Sequence, residues 1–216
     1  VRGGALKAYS PAGRISRLKE EGEERTACEY RNPTKVVFGA GAFLRAGEEA
    51  AKLGKRALVV SYEDAGCAAT LDKLDALLKT SGVASQRFCK VMPNPDIAMV
   101  REGVAKAQAF GAELVIGVGG ASAMDSAKAI AAGVLYEGAD LWNMVFSRHD
   151  KVTAQPPTRS LPTLMLPTLP ATGSEMNNCA VVSNRAIGEK SYIWSSCLFP
   201  VTAILAPELT HSLTPF

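Results

Sequence analysis

The sequence predicts an α/β fold in which helices flank a parallel sheet, and two observations predict it. From residue 33 onward, short apolar runs alternate with amphipathic runs of about 10–15 residues, the order typical of βαβ units. The 216 residues are 47% hydrophobic and 21% charged, which is enough apolar material for a sizeable core. No stretch approaches the roughly 18 consecutive apolar residues of a membrane span, so we expect no membrane partner.

The alternating region begins with a strand, a helix and a strand. The stretches KVVFGA (35–40) and RALVVSY (56–62) are short apolar runs rich in valine, which favours strands. Between them, AFLRAGEEAAKLG (42–54) has the pattern of a helix, and its last residue is a glycine, the usual residue after a helix C-terminus.

The next elements continue the alternation. AATLDKLDALLKTSG (68–82) predicts a helix because its leucines recur at helical spacing. QRFCKVM (86–92) predicts a strand, and the proline-containing segment 93–96 ends it. IAMVREGVAKAQAFG (97–111) predicts a helix for which Asp96 is a suitable N-cap.

The last strand–helix pair of this region is ELVIGVGG (113–120) and SAMDSAKAIAAGVL (122–135). Beyond residue 136 the pattern loosens. LPTLMLPTLPATGSE (161–175) carries three prolines in nine residues, which excludes a regular helix there. CAVVSN (179–184) and TAILAPELT (202–210) each predict a short strand followed by a turn. Together the elements predict a Rossmann-like parallel sheet with flanking helices.

The charge and the cysteines limit the class of function. A net charge of +3 is too small to indicate binding to nucleic acid or to an anionic membrane. The cysteines are widely spaced and form no CxxC pair; they are Cys28, Cys67, Cys89, Cys179 and Cys197. Such a set is typical of reduced thiols, so we expect a cytoplasmic protein.

A run of small residues joins the predicted strand 113–120 directly to the helix after it. The run is Gly119, Gly120, Ala121 and Ser122. Small residues let a ligand approach the free N–H groups of a helix N-terminus, which bind phosphate well, and a serine adds a hydroxyl. The alternative is a tight strand–helix crossing that needs small residues for packing alone. The turn matches neither GxGxxG nor a Walker A loop.

Acidic residues lie near two of these turns. Glu63 and Asp64 follow the strand 56–62, where an acid can hydrogen-bond an adenosine ribose and repel a 2′-phosphate. A solvated acidic loop is the alternative for this pair. Asp125 lies in the first turns of the helix 122–135, either beside a ligand or as a simple complement to the helix dipole.

The stretch PTLPATGSE is rich in hydroxyl side chains held between prolines. Its candidate residues are Thr168, Thr172, Ser174 and Glu175. Such a loop can hold phosphate or a nicotinamide amide in fixed geometry. The spacing from Thr172 to Glu175 also matches a capping box at the start of a helix, and the two interpretations are compatible.

Four stretches, in this order, resemble the iron-containing, or group III, alcohol dehydrogenase family. They are NPTKVVFGAGAF, MPNPDIAMVREGVAKAQAFGAELVIGVGGASAMDSAKAIA, LPTLMLPTLPATGSEMNNCAVVSN and FPVTAILAPELTHSLTPF, covering about residues 32–216. LPATGSE and ADLWNMV are most similar to the butanol dehydrogenase branch, whose members reduce aldehydes with NADH or NADPH. The resemblance implies hydride transfer between a nicotinamide cofactor and a primary alcohol or aldehyde.

The resemblance also implies domains and cofactor contacts. We expect a disordered or non-native N-terminal arm over residues 1–28, because these lack a usable apolar period, and a dinucleotide-binding α/β domain over 29–216. The implied contacts are Gly119, Gly120 and Ser122 with the pyrophosphate, Asn94 beside it, Asp125 near the nicotinamide end, Thr168 and Thr172 along the cleft, and Lys190 near the cofactor ribose. Two departures from the family pattern matter: Ala121 replaces a glycine, and Leu169 replaces a threonine. Glu63, with its acidic neighbour, favours NAD over NADP.

The metal ligands of the family, one Asp and three His, follow the turn matched by LTHSLTPF. We therefore expect Fe²⁺ or Zn²⁺ only in the complete protein, which we expect to be a homodimer. His149 and His211 match no ligand position, and the catalytic residues stay unknown. Val1 stands where a starting methionine would, so we expect both ends to be arbitrary cuts. The alternative is a non-catalytic nucleotide-binding module or a truncated, inactive fragment.

Overall fold

The structure, a computed structural model, describes residues 17–20, 23–26, 30–146 and 153–211. The chain divides into two units, Val1–Asn32 and Pro33–Phe216. In the first unit, strands β1 (Arg17–Glu20) and β2 (Glu23–Thr26) pair antiparallel. Most of residues 1–28 lie outside the described part, so the disordered or non-native arm stays a prediction.

The second unit is built on a six-stranded parallel sheet. The described strands of this unit, in chain order and including two outside that sheet, are β3 (Lys35–Phe38), β4 (Arg56–Tyr62), β5 (Ala84–Val91), β6 (Leu114–Gly119), β7 (Thr163–Pro167), β8 (Cys179–Asn184), β9 (Glu189–Trp194) and β10 (Thr202–Leu205). The order across the sheet is β3-β10-β7-β6-β4-β5, and every neighbouring pair is parallel. Strands β8 and β9 form a separate antiparallel ribbon.

In the described part of the chain, four α-helices connect or cover these strands. They are α1 (Ala46–Ala51), α2 (Ala65–Thr80), α3 (Ile97–Phe110) and α4 (Ala121–Val134). Short 3₁₀ helices span Ala42–Arg45, Leu141–Met144, Ser196–Leu198 and Pro207–Thr210. The Asp96 carboxylate caps α3, accepting a hydrogen bond of 2.8 Å from the N–H of Ala98, as the sequence predicted. The predicted α/β fold with flanking helices is confirmed.

Two apolar layers cover the two faces of the sheet. Alternation along β4 sends Leu58 and Val60 into the layer with α3 and α4, whereas Ala57 and Val59 enter the layer with α1 and α2. Helix α4 is buried without interruption over residues 123–133, because the sheet, α3 and β8 all pack against it. Within the described ranges, no helix is long and apolar enough to cross a membrane.

The strand order creates a crevice at one edge of the sheet. Strand β4 lies between β5 and β6, so the chain passes to β5 through α2 and then crosses back over β4 through α3 to reach β6. Ligands of open α/β sheets bind beyond the carboxyl ends of the strands at such a switch point. Tyr62 and Gly119 are the last residues of β4 and β6, and they stand at this crevice.

Among the described α-helices and strands of the second unit, three differ from the sequence expectation. The predicted helix 42–54 divides into a 3₁₀ turn and a six-residue α1. Strand β7 was not predicted, because prolines at positions 162 and 167 bracket a short, fully buried apolar run. Strand β9 was not predicted either, because its sequence EKSYIW begins with charged residues and pairs only with its ribbon partner.

Candidate functional site

The glycine turn at the start of α4 is closely covered by side chains. Gly119 has a φ of +134°, a conformation that favours glycine, and Gly120 is the N-cap of α4. A Cβ built on Gly119 would lie 2.6 Å from Cε2 of Tyr62. A Cβ on Gly120 would lie 3.1 Å from Cδ2 of Leu169. Packing alone therefore requires glycine at residue 119, and the approach of a pyrophosphate stays a prediction.

The Tyr62 side chain reaches the free end of α4. Its hydroxyl interacts with the backbone of Ala123 and Gly120 and with the side chain of Ser122. Burial raises the pKa of Tyr62, and these hydrogen bonds partly offset the rise. The tyrosine thus contacts the groups that an anion at this helix terminus would use.

A groove runs beside this turn at the carboxyl ends of the strands. Thr168 follows β7, and its N–H donates a hydrogen bond of 3.1 Å to the carbonyl of Gly119. The groove has a volume of about 420 Å³, and Thr168, Leu169 and Glu208 are among the residues that line it. Asp64 also lines it while its carboxylate caps α2, 2.7 Å from the N–H of Cys67.

Glu63 lies on a different groove. Its exposed side chain lines an opening of about 620 Å³ with Cys89, Lys90 and Glu102, next to β5 and α3. The structure therefore does not bring Glu63 and Thr168 to the same groove, although both follow strands that end at the crevice.

Asn94 and Lys190 meet although they lie far apart in the sequence. The Lys190 Nζ donates a hydrogen bond of 2.6 Å to the Oδ1 of Asn94. Asn94 has a φ of 58°, a left-handed conformation that asparagine tolerates better than most residues. The N–H of Ser183 donates to the carbonyl of Pro95 at 2.7 Å. These bonds fix the 93–96 loop against the β8–β9 ribbon.

Asp125 faces the interior of the protein. It is 8% exposed, and its two carboxylate oxygens accept hydrogen bonds from the Ser174 hydroxyl at 2.5 Å and from the Val181 N–H at 3.0 Å. Burial raises the pKa of Asp125, and the bond from Ser174 partly offsets the rise. The carboxylate thus ties α4 to the 172–181 segment, and its predicted position at the nicotinamide end stays a prediction.

The PATGSE segment does not start a helix. Residues 174–176 form a turn in which the N–H of Met176 donates to the carbonyl of Gly173 at 2.9 Å. The capping-box interpretation of Thr172 and Glu175 is therefore wrong, because the chain turns into β8 instead of continuing as a helix. Thr172 is exposed.

Sequence reasoning gave no role to three residues of this region, Tyr62, Lys128 and Asn177. The signal for Lys128 was available: a lysine three residues after an aspartate, in a helix otherwise built from alanine and other small or apolar residues, must find partners when that helix is buried. The Tyr62 contact could not be found from spacing, because it depends on how β4 and β6 pair.

No metal cluster occurs among the residues that the structure describes: no group of three or more His, Cys, Asp or Glu side chains could hold an ion. His211 is exposed, and His149 lies outside the described residues. The side chains present therefore do not fit a metal site, and no step through a metal can be derived from them.

The fold and the crevice define a doubly wound α/β domain of the kind that binds dinucleotides. The family model for iron-containing alcohol dehydrogenase matches residues 33–207. The chain belongs to this family.

Named relatives support the assignment. The NADH-dependent butanol dehydrogenase A of Clostridium acetobutylicum is 38% identical over 189 residues, which cover 86% of this chain and 46% of that protein. The crystal structure of NADH-dependent butanol dehydrogenase A from Thermotoga maritima has a TM-score of 0.77 at 35% identity, covering 87% of this chain and 46% of that chain.

A third relative was solved with a dinucleotide. The sulfoacetaldehyde reductase of Bifidobacterium kashiwanohense, in complex with NAD⁺, has a TM-score of 0.72 at 30% identity and covers 87% of this chain and 48% of that chain. The present chain thus spans about half the length of the relatives it matches.

Proposed function

We propose that this chain is the cofactor-binding part of an NAD(P)-dependent alcohol dehydrogenase or aldehyde reductase of the butanol type. The observation that carries the proposal is the Gly119–Gly120 turn, which begins α4 at the crevice between β4 and β6. Membership of the family, and relatives named for their use of NADH, support it.

The pyrophosphate would bind at the N-terminus of α4, where backbone N–H groups and the Ser122 hydroxyl meet the positive end of the helix dipole. The opening of about 620 Å³ that Glu63 lines is of a size to take the adenosine end. Asn94 and Lys190, already in contact, would lie beside the pyrophosphate and a ribose. When bound, the nicotinamide supplies or accepts the hydride.

The complete protein would act on a primary alcohol or aldehyde and would carry Fe²⁺ or Zn²⁺ outside the described residues. For the 216-residue chain we expect no metal-dependent turnover. Aldehyde-dependent oxidation of NADH by the isolated chain would contradict this, whereas binding without turnover fits both the cofactor part and the alternative non-catalytic module. The homodimer and the cytoplasmic location stay predictions.

The test is a fluorescence titration of the chain with NADH, comparing Gly120→Asp with Gly120→Ala. Gly120 has φ −81° and ψ −171°, which any residue adopts, and aspartate is a good N-cap, so both variants are expected to fold. The added carboxylate repels the pyrophosphate, and we expect about tenfold weaker binding for aspartate, with little change for alanine. Equal affinities for wild type and Gly120→Asp would refute the site.

The same titration with NADPH tests the coenzyme preference. We propose that wild type binds NADH more tightly, because Glu63 repels a 2′-phosphate. Glu63→Gln is expected to reduce the ratio of NADH affinity to NADPH affinity about threefold. Glu137 is an exposed acid at the other end of α4, and Glu137→Gln is expected to leave this ratio unchanged. A preference for NADPH in wild type would reverse this part of the proposal.

A further inference from the structure

Helix α4 carries two charged side chains within its buried stretch. Lys128 is completely buried, and Asp125 is 8% exposed. An ion inside a protein is tolerated only when it is paired and hydrogen-bonded. Lys128 therefore needs dedicated partners, and the described residues provide them.

The Lys128 ammonium donates all of its N–H groups to acceptors in the segment 177–179. Its Nζ donates to the Oδ1 of Asn177 at 2.9 Å, to the carbonyl of Asn177 at 3.2 Å and to the carbonyl of Cys179 at 2.5 Å. A charged lysine has three N–H bonds, so each acceptor has its own donor. The Asp125 Oδ1, at 3.9 Å from Nζ, adds an opposite charge.

Asn177 connects Lys128 to the rest of the loop Thr172–Cys179. Its Oδ1 also accepts from the Cys179 N–H at 3.0 Å, and its Nδ2 donates to the carbonyl of Thr172 at 3.4 Å. A continuous set of hydrogen bonds thus runs from the buried lysine to Thr172. Asp125 holds the same segment through Ser174.

We infer that Lys128 is a positioning residue whose ammonium holds the Thr172–Cys179 loop in the conformation that binds the cofactor. The inference rests on the proposed function and deepens it. Lys128 is enclosed and touches the loop, so it acts through Asn177 and not on the cofactor itself.

The protonation of this lysine makes the role measurable. Burial lowers the pKa of Lys128 from 10.5 to about 8, against the opposing effects of Asp125 on the same helix, Cys179 on β8 and Glu175 in the loop. Burial raises the pKa of the Cys179 thiol. A neutral amine has only two N–H bonds, so one acceptor loses its partner as the pH rises through about 8. Cofactor affinity is therefore expected to fall above that pH.

The experiment uses the full chain and three variants. Lys128→Met removes the donors at similar volume, and Asn177→Ala removes the connection to Thr172 from a partly exposed position that should not prevent folding. Asn178→Ala is the matched control, since Asn178 accepts a hydrogen bond from the Ser195 N–H through its backbone carbonyl, which alanine keeps. NADH affinity is titrated from about pH 7 to about pH 9.5. Hydrogen exchange of residues 172–181 is measured without cofactor.

We expect wild type and Asn178→Ala to lose affinity about fivefold across this range, and Lys128→Met to bind about tenfold more weakly with a flat pH profile. Amides in 172–181 should exchange faster in Lys128→Met and Asn177→Ala. The inference would be overturned if Lys128→Met and Asn177→Ala matched Asn178→Ala in NADH affinity, in its pH profile and in hydrogen exchange of residues 172–181. If wild type binds no NADH, the proposed function and the cofactor role both fail, and faster exchange would support only the loop tether.

Discussion

The N-terminal turn of α4 and the stretch that follows it differ in the groups that they present to their surroundings. The N-terminal turn, Gly119–Ser122, offers backbone N–H groups toward the crevice and has almost no side chains of its own. One turn later, Asp125 and Lys128 point charged side chains inward, where the 172–181 segment satisfies them. The comparison teaches that a helix terminus built of small residues needs no charged partner, whereas charged side chains one turn further on must be satisfied by a segment that packs against the helix.

The largest expected effect is at the first turn. Gly119→Ala places a methyl group 2.6 Å from Cε2 of Tyr62 at a φ of +134°. Strain and overpacking together should lower the free energy of unfolding by about 3–4 kcal/mol, measured by urea denaturation. Gly188→Ala is the control: its φ is +66°, nothing lies within 4 Å of the added Cβ, and it should cost about 1 kcal/mol. If Gly119→Ala and Gly188→Ala lowered the free energy of unfolding equally, the Tyr62 side chain would move aside without cost.

The second prediction concerns the inner turn and its response to pH. The folded pKa of Lys128, about 8, lies below the 10.5 of an ordinary lysine, so the unfolded chain binds more protons between these values. Stability must then rise with pH over this window, by about 2–3 kcal/mol from this group.

Lys128→Met removes this contribution, and the cysteines remain in both proteins, so the comparison isolates the lysine. We expect the difference in unfolding free energy between wild type and Lys128→Met to change in favour of wild type from about pH 8 to about pH 10.5 in urea titrations. If the difference in unfolding free energy between the two proteins did not change with pH, Lys128 would not be a buried ammonium with a lowered pKa. The expected direction is opposite to that for NADH affinity, which separates global stability from loop position.

The smallest effect tests the contact between the helix and the loop. Ser174→Ala deletes a hydrogen bond to a buried carboxylate and should cost about 1–2 kcal/mol of stability by thermal or urea unfolding. Thr172→Ala, an exposed hydroxyl in the same loop, should change stability by less than about 0.5 kcal/mol. If both variants cost the same, the Asp125 contact does not hold the loop.

Much of the fold could be predicted because its signals are local. The alternation of short apolar runs with longer helical ones identified β3 to β6 and α2 to α4, and an aspartate marked the start of α3. Strand β7 escaped because prolines flank it, and its membership of the sheet depends on pairing with β6 and β10, which no local pattern reports. The same limit hid the meeting of Asn94 and Lys190, which are 96 positions apart.

The sequence by itself determined the small residues of the Gly119–Gly120 turn and the three-residue spacing of Asp125 and Lys128, since backbone conformation and helix periodicity act within a few residues. Only the tertiary structure decided what covers that turn and what satisfies those charges. Tyr62 and Leu169 reach the glycines because β4 and β7 both pair with β6. The partners of Lys128 lie 49 and 51 positions away, and the packing of β8 on α4 brings their carbonyls within hydrogen-bond distance.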